Sequence, residues 1–75
     1  MKQIKIQVAR GENFTPNSLM RRYAKETGAI FSCTFWGESE LLIEGRAYTY
    51  HHWGITAEND VEIVTLFLEE IKHYD

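Results

Sequence analysis

Two adjacent histidines, His51 and His52, stand in a segment dense in rings, with Tyr48, Tyr50 and Trp53 around them. Imidazole is the side chain that most readily ligates a metal or moves a proton near neutral pH. Neighbouring residues of a regular strand point to opposite faces, so this pair does not chelate a single ion. A zinc site takes three or four ligands, and Cys33 and His73 stand at no ligand spacing from the pair. The expectation is one histidine turned inward and the other to solvent, with no metal and no cofactor.

The other chemistry-bearing types are as sparse. Cys33 is the only cysteine, so it forms no internal disulfide, and its apolar neighbours suggest a buried structural thiol. No Ser-His-Asp or Cys-His arrangement and no phosphate-cradling glycine loop can be traced, and the five glycines punctuate element ends. The expectation is a protein that is not an enzyme. Arg21, Arg22 and Lys25 form a basic group on the outer side of a short helix, with Glu26 beside it. Such a group suits phosphate or carboxylate contact, or a solvated helix face.

Composition narrows the partners. The chain has 75 residues, 44% of them hydrophobic and 13% aromatic, which is globular and fits one domain over residues 1–75. A domain of this size buries only roughly 60% of its unfolded surface, so large rings and dimerisation are both routes to stability. The net charge is −3, which disfavours general nucleic-acid binding because affinity there comes from neutralising phosphates. No apolar run approaches the roughly 20 residues of a membrane-spanning helix. The opening Met1-Lys2-Gln3-Ile4 alternates without a signal-peptide core, and a reducing, cytoplasmic setting is expected.

The elements that must position these residues follow from periodicity. Residues 3–9 alternate Ile4, Ile6 and Val8 with polar neighbours, a strand buried on one face. Thr15 as N-cap and Pro16 at the first helical position begin a helix near residues 17–27, ended by Gly28. Three strands are expected next, Ile30 to Trp36, Glu40 to Glu44 and Ala47 to Trp53, the last stopped by Gly54. A second helix is expected near residues 59–74, capped by Thr56 or by Asn59 with Glu62 three residues on. Its apolar residues cover an arc of roughly 160°, wider than packing on a small sheet requires. The resulting order is β-α-β-β-β-α, a two-layer α+β fold. Its mainly antiparallel four-stranded sheet carries both helices on one face.

The segment from Thr15 to Tyr74, helix, three-strand meander, helix, resembles the order of double-stranded-RNA-binding domains. Pro16-Asn17-Ser18-Leu19 followed by Tyr23 resembles their first helix. That family holds phosphates through lysines at the start of its second helix. This chain has Thr56-Ala57-Glu58-Asn59-Asp60 there, so the electrostatics are inverted. The opening strand, loop and helix from Pro16 also resemble the phosphocarrier protein of sugar uptake systems. The phosphorylated histidine of that family is replaced by the stretch Asn13-Phe14-Thr15.

These observations lead to a small non-enzymatic domain that binds another protein. The expected role is inhibitor or adaptor of a larger protein or complex, as with phage or mobile-element proteins that target a host enzyme or defence system. Trp36, Tyr48 and Tyr50 on an open sheet face, with Arg21 and Arg22, are the expected contact residues, since Trp, Tyr and Arg dominate interface energetics. A homodimer closed through Ile63, Leu66 and Phe67 of the last helix is compatible with that role. The alternative is nucleic-acid binding by sheet-face aromatics with Arg21, Arg22 and Lys25.

Overall fold

A computed structural model describes residues 1–33 and 38–71. Its elements are β1 (Lys2–Ala9), α1 (Pro16–Thr27), β2 (Ile30–Cys33), β3 (Ser39–Ile43), β4 (Arg46–Glu58) and β5 (Val61–Glu70). The strands form one five-stranded sheet in the order β1-β5-β4-β3-β2, antiparallel at every pairing.

The first half of the chain follows local sequence chemistry. In β1, Ile4, Ile6 and Val8 are buried while Gln3, Lys5 and Gln7 are exposed, as strict alternation requires. Thr15 caps α1 reciprocally with Ser18: each side chain accepts from the other's backbone N–H, at 3.1 and 2.9 Å. Gly28 ends the helix at φ +84°, where a side chain would be strained, and its N–H bonds Ala24 O at 2.9 Å.

The second half corrects the expected fold. There is one helix among the described residues, and the sheet has five strands rather than four. The chain does not stop at Gly54: β4 runs on to Glu58, turns at Asn59-Asp60, and returns as β5. Asn59 occupies positive φ, +54°, which asparagine tolerates in a tight hairpin and which a helix cap does not use. The residues read as a helical stripe are apolar on both faces of a strand. Val64, Leu66 and Leu68 are buried in the core, and Val61, Ile63 and Phe67 line the opposite face. The β-branched cluster Val61, Ile63, Val64 and Thr65 favours the pleated form. The portions of the expected elements at 34–37 and 72–75 lie outside the described residues.

The core lies between α1 and one face of the sheet. Leu19, Met20 and Ala24 of α1 meet Ile4, Ile6, Val8, Leu41, Ile43, Val64, Leu66 and Leu68. The helix serves only part of that face, since it contacts mainly β2 and β3. The far half of the β4–β5 hairpin extends past it, and the molecule is elongated, 47 × 24 × 21 Å. No helix among the described residues is long and apolar enough to cross a membrane.

Candidate functional site

The site is built by the pairing of β4. This strand has thirteen residues, but β3 pairs only with Arg46, Ala47 and Tyr48. On its other side, β5 pairs with it as far as Glu58. From Trp53 to Glu58, β4 therefore has one neighbour, and no described strand occupies its outer edge.

Antiparallel geometry says which groups that edge presents. Opposed residues alternate between pairs that exchange N–H···O bonds and pairs that do not. Ile71 N–H donates to Ala47 O at 2.8 Å, so odd-numbered β5 residues aim their backbone at β4. Their partners beyond the bulge are His52, Gly54, Thr56 and Glu58. The backbone groups of Trp53, Ile55 and Ala57 consequently aim outward. Their side chains share the face of Leu66, Val64 and Glu62, the residues opposite them on β5. Trp53 is 45% exposed and Ile55 48%, although α1 buries the same face elsewhere. Phe14 packs T-shaped against the indole, ring centroids 5.4 Å apart at 89°, and Trp53 still remains nearly half exposed. Among the described residues, the edge thus combines unpaired backbone with a ridge of apolar surface.

The β1 edge is managed differently. Gln7 and Ala9 aim outward there, because their neighbour Ile6 faces Val64 across the ladder. Arg22 Nη1 donates to Gln7 O at 3.3 Å, and Ala9 N–H donates to Glu12 Oε1 at 3.3 Å. Arg22 and Glu12 are themselves ion-paired. Hydrogen bonds from Arg22 and then from Ala9 hold the Glu12 carboxyl below its usual range. Lys5 adds an exposed charge to the same strand.

The residues expected to bind a partner are not gathered at one place. Trp36 lies outside the described residues. Tyr48 and Tyr50 face the helix side and pack against the core, half-buried, so they do not lie on an open face. Arg21 lies over the Phe31 ring at 5.1 Å, Arg22 is engaged with Glu12, and Lys25 is exposed in the last helical turn. Ile63 and Phe67 share the helix-free face, but Leu66 points the opposite way and is completely buried. With no helix to unite them, these three residues form no common surface.

His51 and His52 also depart from expectation, because a bulge interrupts β4 between Tyr50 and His52. It brings the two rings together, Nδ1 to Nδ1 at 2.6 Å, while His52 stacks on Phe67 at 4.3 Å and 12°. The described residues include no group of three His, Cys, Asp or Glu side chains arranged to hold a metal. Cys33 is exposed, not buried. A depression of about 330 Å³ beside the end of α1 is lined by residues that include Tyr23, Thr27, Ile30, Leu42 and Glu44.

Sequence reasoning missed Ile55 and the edge itself. The available signal was the alternation Trp53, Ile55, Ala57 continuing through Gly54, with no lysine or proline to guard it. No family model, no curated protein and no solved structure matches the chain.

Proposed function

We propose that this chain is a non-enzymatic protein-binding domain that takes up an extended strand along the outer edge of β4, as an inhibitor or adaptor of a larger protein. The observation that carries the reading is the edge from Trp53 to Glu58, which no described strand pairs, beside the half-exposed Trp53 and Ile55. In strand addition, main-chain hydrogen bonds supply affinity and side chains of alternate residues supply selectivity. An added strand satisfies the outward backbone of residues 53, 55 and 57 and covers the two apolar side chains in one step. Nucleic-acid binding has weaker support. Arg22 is committed to Glu12 and Gln7, and the far half of the β4–β5 hairpin, an arm beyond α1, ends in Glu58, Asp60 and Glu62.

The test compares capture by the tagged wild-type chain and by Ile55→Pro, with nuclease treatment in parallel. Proline removes the outward N–H at the centre of the edge without touching the β5 ladder. A nuclease-resistant protein captured by the wild type and lost by Ile55→Pro is the expected result. Equal capture by both chains overturns the edge reading, and loss of all captured material on nuclease treatment favours nucleic acid.

A further inference from the structure

We infer that in the free protein the β4 edge is closed by the β4 edge of a second copy, in one antiparallel register centred on Ile55. This rests on the strand-addition reading and names the edge's resident occupant, which a larger partner's strand has to displace. Three observations select the second copy and the register.

The first is hydrogen-bond parity. Outward backbone groups belong to residues 53, 55 and 57. A two-fold axis through Ile55 opposes Ile55 to Ile55 and Trp53 to Ala57, so every outward residue meets an outward residue. All three are then hydrogen-bonded positions, exchanging about six backbone bonds. Axes through Gly54 or Thr56 leave one outward residue of each chain facing the bulge or the turn, and form about four.

The second is side-chain fit. The axis through Ile55 sets the large Trp53 beside the small Ala57 of the other copy and brings the two Ile55 side chains together. These are the surfaces that each chain leaves 45% and 48% exposed. Gly54, opposite Thr56 in this register, has open space around it.

The third is polar complementarity. The arm carries Glu58, Asp60 and Glu62 at its tip and His51 and His52 at its base. The same axis places Glu58 of each copy opposite His52 of the other. A carboxylate then faces an imidazole at both ends of the interface, whereas the axis through Gly54 sets His52 against Thr56. The product is one sheet continuous through both copies, which covers the far half of each β4 edge.

The experiment is sedimentation equilibrium on the full chain, joined to disulfide trapping in a Cys33→Ser background. Twice the single-chain mass of 8.8 kDa is expected for the wild type, and the single-chain mass for Ile55→Pro with an unchanged circular dichroism spectrum. Ile55→Cys is expected to oxidise to a covalent dimer, because hydrogen-bonded antiparallel partners have Cα atoms about 5.5 Å apart. Gly54→Cys is expected to remain uncrosslinked, although a side chain fits there. A wild-type chain that stays single at hundreds of micromolar, with no Ile55→Cys dimer, overturns the inference. It does so without touching the strand-addition reading, which is decided separately by capture with Ile55→Pro and by the nuclease arm. Trapping at Gly54 in preference to Ile55 overturns the register, and a dimer insensitive to Ile55→Pro places the interface elsewhere.

Discussion

Two stretches of sheet edge, along β1 and along the far half of β4, are treated in opposite ways. Along β1 the outward Gln7 carbonyl and Ala9 N–H are occupied by Arg22 and Glu12, and Lys5 projects beside them. Along the far half of β4, the six residues from Trp53 to Glu58 include no lysine or proline, and no side chain among the described residues caps them. An unblocked edge is a template for any extended chain, and stable monomers suppress such edges. A chain that blocks one edge with an ion pair and leaves the other bare beside tryptophan and isoleucine has differentiated them. That difference is what supports the proposal that β4 takes up an added strand.

The comparison breaks first at the strand between the two edges. Leu66 of β5 is fully buried, with Ile4 opposite it on one side and Trp53 on the other. Leu66→Ala is expected to cost about 2–5 kcal/mol and loosen both edges together. Trp53→Ala, on the exposed side, is expected to cost the free chain less than half as much. Chemical denaturation of both variants checks the ranking, and the reverse order would show that the arm is part of the core.

A smaller effect separates the two sides of β4. The Thr56 backbone faces β5 and the Ile55 backbone faces outward. Thr56→Pro removes a ladder bond and orphans its acceptor, at a cost on the order of 2–3 kcal/mol. Ile55→Pro is expected to cost under about 1 kcal/mol at concentrations where the chain is single. Equal losses at the two positions would refute the assignment of the outward backbone groups.

Legibility in the sequence followed how local each determinant is. The alternation of β1, the Thr15–Pro16 helix start and the Gly28 stop are set by residues in contact along the chain, and each is found where expected. Residues 59–70 satisfy two codes at once: Asn59 and Glu62 suit a capped helix, while Asn59-Asp60 and the β-branched run suit a hairpin. Pairing with β1 on one side and β4 on the other decides between them, and that pairing is not local. The unusually wide apolar arc was the sequence-level sign that both faces of the segment meet something. The β4 bulge is likewise invisible to strict alternation, which is why Tyr48 and Tyr50 lie on the side opposite His52. The free edge is the least legible feature, because it is defined by where β3 stops pairing.

The smallest expected effect tests the guard on β1. Hydrogen bonds from Arg22 and Ala9 depress the Glu12 pKa below 4.5 in the folded chain. A carboxyl whose folded pKa is lowered contributes stability that is present above its unfolded pKa. That contribution is lost as pH falls through the folded value. Glu12→Gln keeps the shape and removes the charge, so it should be less stable than the wild type near neutral pH. The gap should close as pH falls from neutral through the usual carboxylate range and below it. Denaturation of both chains at the two ends of that range measures it. A gap independent of pH would mean that Glu12 acts through shape alone. A second consequence concerns the edge itself: with the carboxylate gone, Arg22 loses its anchor beside Gln7 and Ala9. Light scattering at high concentration should then rise for Glu12→Gln even in an Ile55→Pro background, where β4 is already closed to strand addition. If it does not, the ion pair is ornament on an edge protected by Lys5 alone, and the contrast between the two edges rests on that lysine.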